Sequence, residues 1–128
     1  MKRLLITCSI LAFTAAGAFA GEPPKFMKDT YPANALKAAW AEYQAVYSPD
    51  GAVPAKMKQL IALGVSAQIP CQYCIIAHTM KAKKAGATDE EIKEALAVAS
   101  MVRKWSTVLN GYNYSMKEFK AEIGVPTN

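Results

Sequence analysis

Cys71-Gln72-Tyr73-Cys74-Ile75-Ile76-Ala77-His78 holds the only histidine of the chain and two of its three cysteines. Read as a helix, positions 71, 74 and 78 share one face, because residues three and four apart are neighbours on a helix surface. Pro70 stands just before the pair, where helices commonly begin. A thiol in the first turn meets unpaired backbone N–H groups and the positive end of the helix dipole, and both favour thiolate. His78, one turn beyond Cys74, is placed to take that thiol's proton or to stabilise its anion. The arrangement reads as redox chemistry.

Three other readings compete. A C-x-x-C is also half of a zinc site, with His78 as a third ligand, but a closed site wants four ligands and no other Cys or His remains once the leader is removed. Covalent haem needs His directly after the second Cys, and Ile75 is there instead. No metal and no cofactor is therefore expected. A structural disulfide in an exported protein is the strongest alternative. Against it, a bridge over one helical turn closes a very short loop and restrains the unfolded chain little.

Export is read from the front of the chain. Met1-Lys2-Arg3 is a short basic start, Leu4 to Phe19 is apolar, and Ala18-Phe19-Ala20 is an A-x-A site. The pattern predicts a signal peptide over 1–20, cleaved after Ala20, and hence a periplasmic or secreted protein. The run is too short and alanine-rich to predict a stable membrane span after cleavage. Cys8 leaves with the leader. Removing 20 of the 128 residues leaves 108, enough for one small domain. Loss of Lys2 and Arg3 takes the formal charge from +5 to +3, and no lysine cluster alternates with aromatics as a nucleic-acid surface requires. In an oxidising compartment the resting state of the two thiols is expected to be the disulfide.

The rest of the chain reads as helices. Residues 21–53 form an N-terminal extension and a first helix, Pro32 to Tyr47, with Leu36, Ala39, Trp40, Tyr43 and Tyr47 on one stripe. Aromatics at this spacing read as core or subunit contact before ligand stacking. Ser48-Pro49-Asp50-Gly51 ends that helix. Residues 54–128 form the helical core, one domain with the preceding helix. Pro54 opens a helix to Gln68 whose apolar stripe is Met57, Leu60, Ile61, Gly64 and Val65; an adjoining face places Gln59 and Ser66 together. Such polar groups require partners if buried. The motif helix runs to Ala85, with Lys81, Lys83 and Lys84 near its end, where cations suit the dipole. Gly86 fits a helix stop, and Thr88-Asp89-Glu90-Glu91 is a capping box. Ile92, Ala95, Leu96, Ala99 and Val102 carry the next apolar face. Arg103-Lys104 marks an end or bend, and a last helix uses Trp105, Val108, Leu109, Tyr112, Met116 and Phe119. No alternating strand pattern occurs, so the expected fold is all-α, with five to six helices.

Lys56-Met57-Lys58-Gln59-Leu60-Ile61-Ala62-Leu63-Gly64-Val65-Ser66, the Cys71-x-Tyr73-Cys74-x-x-x-His78 motif, and Gly86-Ala87-Thr88-Asp89-Glu90-Glu91-Ile92 together resemble the carboxymuconolactone decarboxylase superfamily, in its alkylhydroperoxidase AhpD-like branch. The resemblance covers about Lys56 to Tyr112. It implies an AhpD-like helical subunit that oligomerises as a homotrimer or homohexamer. It also implies reduction of a hydroperoxide substrate by a dithiol that an external thiol donor restores. By motif position Cys74 is the attacking thiol, Cys71 the resolving thiol, and His78 the group that activates Cys74. Thioredoxin-like logic makes Cys71 the attacker instead; the histidine one turn away favours Cys74.

Two departures bear on the chemistry. The branch commonly has a glutamate of a proton relay where this chain has Gln59, and an amide does not exchange a proton near neutral pH. AhpD carries a histidine between the cysteines where this chain has Tyr73. The expected catalytic set is thus Cys71, Cys74, His78 and Gln59, with His78 alone as base. A thiol–disulfide exchange carrier or redox sensor with weak peroxidase activity is the alternative reading.

Overall fold

Prolines, caps and turns divide the chain into six α-helices in the computed structural model, which describes residues 21–126: α1 (Lys25–Thr30), α2 (Ala33–Val46), α3 (Ala55–Gln68), α4 (Gln72–Lys84), α5 (Asp89–Tyr112) and α6 (Met116–Glu122). There is no strand among the described residues, and the chain is all-α. The predicted leader, residues 1–20, lies outside them. Two compact units are separated, one ending at Ala45 and the other beginning at Val46.

In the first unit the short α1, which no periodicity announces, has Pro24 as its N-cap. The Pro24 carbonyl accepts from the N–H groups of Met27 and Lys28 at 2.9 and 3.2 Å. Tyr31, with φ −103° and ψ 142°, is extended, as the residue before a proline must be. The Trp40 indole N–H donates to the Gly21 carbonyl at 2.6 Å, and its ring stacks on Tyr43 with centroids 5.4 Å apart. Lys28 pairs with Glu22 and holds its carboxyl below the usual range.

The second unit is built on α3, which packs against both α4 and α5. The turn before it is tied down by Ser48, whose hydroxyl accepts from the Asp50 N–H and whose carbonyl accepts from the Lys58 ammonium. Leu60, Leu63, Ala82, Ala87 and Ile92 form the buried apolar core, with Ile75, Ala95 and Leu96 packed against it; Leu63 is fully enclosed. Gly64 lets α3 and α5 close together, since a Cβ there would already touch the Ala99 methyl at 3.4 Å. Gly86, with φ +85°, makes the left-handed exit from α4, a conformation that costs other residues a Cβ clash. The capping box at Thr88 is complete: its hydroxyl accepts from the Glu91 N–H, and the Glu91 carboxylate accepts from the Thr88 N–H. Lys56 also binds Glu91 at 2.6 Å, joining the starts of α3 and α5.

Two expectations are corrected. Arg103-Lys104 does not end a helix; α5 runs through it, because no glycine or proline interrupts the backbone there, and Arg103 donates to the Gln68 carbonyl from within the helix. The true stop is Asn113, left-handed at φ 56°, after which Ser115 caps the separate α6 that carries Met116 and Phe119. The second correction concerns α3. Of its expected apolar stripe only Leu60 is fully buried, while Met57, Ile61 and Val65 are about half exposed. The adjoining face that brings Gln59 and Ser66 together, with Leu63, is the one most deeply buried. Val102 of α5 is likewise exposed. With Ile61, Val65 and Val98 it lines an open apolar groove of about 800 Å³ between α3 and α5.

Candidate functional site

The motif cysteines stand at the start of α4 because Ile69-Pro70 breaks the path from α3. The Ser66 carbonyl accepts from the Cys71 N–H at 3.0 Å, anchoring the break to the end of α3. Cys71 is the N-cap of α4, one position earlier than a first-turn residue. Its sulfur accepts from the Cys74 N–H at 3.3 Å. Sulfur thus fills the place usually taken by a hydroxyl or carboxylate oxygen, and answers one of the four unpaired N–H groups of the helix start. Cys71 and Cys74 are joined by a disulfide, with Cα atoms 5.3 Å apart. Both are half-buried, whereas Tyr73 between them is almost wholly exposed. Both sulfurs lie where the peptide dipoles of α4 favour a thiolate once the bridge is reduced.

His78 follows Cys74 by four residues and lies on the same side of α4. Its Nδ1 is 2.8 Å from the Oε1 atom of Gln59. An amide oxygen only accepts, so Nδ1 carries the hydrogen, and in the neutral ring Nε2 keeps its lone pair. That leaves Nε2 as the basic nitrogen. Burial is the main cause that holds the His78 pKa below its usual 6.5, and the positive charge of Lys81 lowers it further. The imidazole is therefore mostly neutral at pH 7, the protonation state a general base needs.

The two buried polar residues of α3 find separate partners. Gln59 meets His78, and the Ser66 hydroxyl donates to the Ala62 carbonyl at 2.6 Å within its own helix. The expected site residues Cys71, Cys74, His78 and Gln59 thus lie on the facing helices α3 and α4. Sequence reasoning missed Tyr47. Its ring stacks on the His78 imidazole, with centroids 5.8 Å apart and planes 22° from parallel. The only signal was its place at the end of an aromatic stripe, which does not say what the last member covers. Among the described residues no three Cys, His, Asp or Glu side chains gather to hold a metal ion, and no helix is long and apolar enough to cross a membrane.

Comparison with known proteins agrees with this reading of the fold. The family model described as carboxymuconolactone decarboxylase family matches residues 34–114. An uncharacterized protein 4 in the cox locus of Paracoccus denitrificans is 40% identical over 65 residues, 51% of this chain and 59% of that protein. An uncharacterized protein of Cupriavidus necator is 37% identical over 67 residues, 50% of this chain and 59% of its own length. The match thus spans about three fifths of each of these relatives. No solved structure matches the chain.

Proposed function

The chain belongs to the carboxymuconolactone decarboxylase family, and from that membership we propose that it is a thiol-dependent peroxidase of the AhpD-like kind, exported after cleavage at Ala20. The observation that carries the reading is the redox-capable pair Cys71–Cys74 on the same helix as an imidazole whose Nδ1 is held by Gln59. Lactone decarboxylation, the chemistry of the family's name, has no use for such a pair.

The cycle starts from the dithiol. His78 takes the proton of Cys74, and the thiolate attacks the distal oxygen of the hydroperoxide. The S–O bond forms as the O–O bond breaks, and the leaving oxygen takes a proton and departs as alcohol or water. Cys74 is left as a sulfenic acid. Cys71 attacks that sulfur, water leaves, and the disulfide forms. Two electrons have passed from the dithiol to the peroxide, and an external thiol donor must return two. Anaerobically reduced mature protein should consume hydrogen peroxide or an organic hydroperoxide stoichiometrically, and Cys74→Ser should abolish this. Persistence of both thiols in the presence of peroxide sinks the proposal.

One feature favours a second reading. With Gln59 in place of an acid, the site has no carboxylate to stabilise the imidazolium, which suits disulfide exchange with a protein partner as well as peroxide reduction. A Cys71→Ser or Cys74→Ser variant would then trap a mixed disulfide with that partner. Self-association also belongs to the proposal. A face of exposed apolar residues this continuous marks an interaction surface, and Glu94 and Arg103, separated along α5, both line the groove. Antiparallel approach of two α5 helices brings the acid of one copy toward the base of the other.

A further inference from the structure

His78 touches two neighbours of different kinds, and each fixes a different freedom. The bond from Nδ1 to Gln59 Oε1 decides which nitrogen holds the hydrogen. It leaves the ring free to swing about the axis of that bond and of the side chain. The second neighbour lies across the face of the ring. Tyr47 is the residue directly after α2, half-buried, in the same compact unit as His78. Its ring lies 5.8 Å from the imidazole, centroid to centroid, and 22° from parallel, within the range of offset aromatic stacking. One wall and one hydrogen bond together define a plane.

We propose that Tyr47 is a positioning residue for His78, stacking on the imidazole so that Nδ1–H stays on Gln59 and Nε2 stays free and correctly aimed as the base. The inference rests on the thiol chemistry proposed above for the purpose of that aim, while the stack itself does not. Tyr47 needs no proton transfer of its own to do this. The face of its ring is the working part, so phenylalanine serves as well as tyrosine. The aromatic cover also keeps water from one side of the imidazole, which adds to the burial that lowers its affinity for a proton. Of the groups around His78, Gln59 from α3 is a neutral amide, and Lys81 on its own helix is the cation whose field reaches it.

Because the chain has one histidine, nitrogen-15 NMR of the imidazole reads this directly. The spectrum gives the pKa and, for the neutral ring, the share of the hydrogen on each nitrogen. The measurement is made on the full oxidised protein, whose thiols are tied up, so it does not depend on any peroxidase activity. Wild type and Tyr47→Phe should show one dominant tautomer, with hydrogen on Nδ1. Tyr47→Ala and Tyr47→Leu should show mixed tautomers, and Tyr47→Ala also a pKa raised toward 6.5. After reduction, the rate of thiol loss to hydroperoxide should fall about tenfold in the Ala and Leu variants, the order expected of a misplaced catalytic group, and hold in Phe. Leucine fills the space left by the ring, so it tests the stack even where alanine unfolds the domain. An unchanged tautomer in the leucine variant overturns the proposal. Should wild type show the tautomer and the Tyr47 effect yet ignore peroxide, the peroxidase reading fails and the positioning role stands.

Discussion

Replacing Gln59 by glutamate tests the centre of the site with a change of one group and almost no change of volume. The new carboxylate takes the place of an amide oxygen 2.8 Å from His78 Nδ1. With charge centres about 4 Å apart and an effective dielectric near 20, the attraction between carboxylate and imidazolium is about 4 kcal/mol. Position 59 is only 8% exposed, so desolvation of the carboxylate takes back part of this. A net rise of about 1–3 units in the His78 pKa is expected. The shift is read by NMR titration of the single histidine in the oxidised protein. In the reduced protein the same carboxylate stabilises the imidazolium formed when Cys74 loses its proton, so more thiolate is present near neutral pH and peroxidase turnover should rise. An unmoved His78 pKa in a folded Gln59→Glu protein would refute the contact on which the site rests. A raised pKa with unchanged or lower turnover would instead assign Gln59 a task other than replacing a limiting acid.

Other outcomes follow from the same structure. Among the described residues Leu63 is the one large side chain wholly enclosed, so Leu63→Ala should cost about 2–5 kcal/mol in urea unfolding; a loss under about 1 kcal/mol would mean that the core lies elsewhere. The folded His78 pKa is depressed, so its contribution to stability is full above the ordinary 6.5 and is lost as pH falls through the lowered value. Asp89 and Glu91, also depressed, lose theirs only at more acid pH, below their ordinary values of 3.8 and 4.5. Urea midpoints measured between pH 7.5 and 5 should therefore fall in wild type and stay flatter in His78→Asn; equal slopes count against the shift. Val98→Glu on the open face of α5 should reduce the oligomer seen by analytical ultracentrifugation, and a wild type that is monomeric at high concentration removes the reason for that interface.

The parts of this molecule legible in the sequence are those decided within one turn of helix. The capping box at Thr88, the glycine exit at Gly86 and the shared face of Cys71, Cys74 and His78 depend on spacings of three and four. They stand where those spacings put them. The end of α5 was misread because charge was taken as a stop, whereas only backbone chemistry ends a helix; Asn113 supplied the left-handed residue. The α3 face was misread for a different reason. Hydropathy ranks Met57, Ile61 and Val65 above Gln59 and Ser66, but a helix wedged between two others buries whichever residues face the wedge. Gln59 tolerates that burial because His78 answers it across 19 positions of sequence, and Tyr47 reaches the same ring across 31. Pairings that distant leave no trace in local periodicity. The polarity of Gln59 and Ser66 on an apolar helix was the clue that a partner existed, though not which.

An amide at position 59 changes how the proposed chemistry must balance its protons. A carboxylate there would stabilise the imidazolium and make His78 a stronger base, at the cost of holding the proton more tightly afterwards. Glutamine does neither. The proton that His78 removes from Cys74 sits on an imidazolium that has an uncharged amide at Nδ1, Lys81 nearby and only the new thiolate as counter-charge. Once that thiolate is spent in attack, such a ring is a good acid. Peroxide reduction needs that acid at once, because the leaving oxygen of the hydroperoxide must be protonated as the O–O bond breaks. One proton enters His78 and one leaves it, with no relay beyond the ring. The cost falls on the first half of the cycle, where less thiolate forms at a given pH. The profile of rate against pH should therefore rise later in wild type than in Gln59→Glu, with the two converging once pH exceeds the thiol pKa of wild type. Parallel profiles that never converge would show that the amide limits a step after the proton has left the thiol.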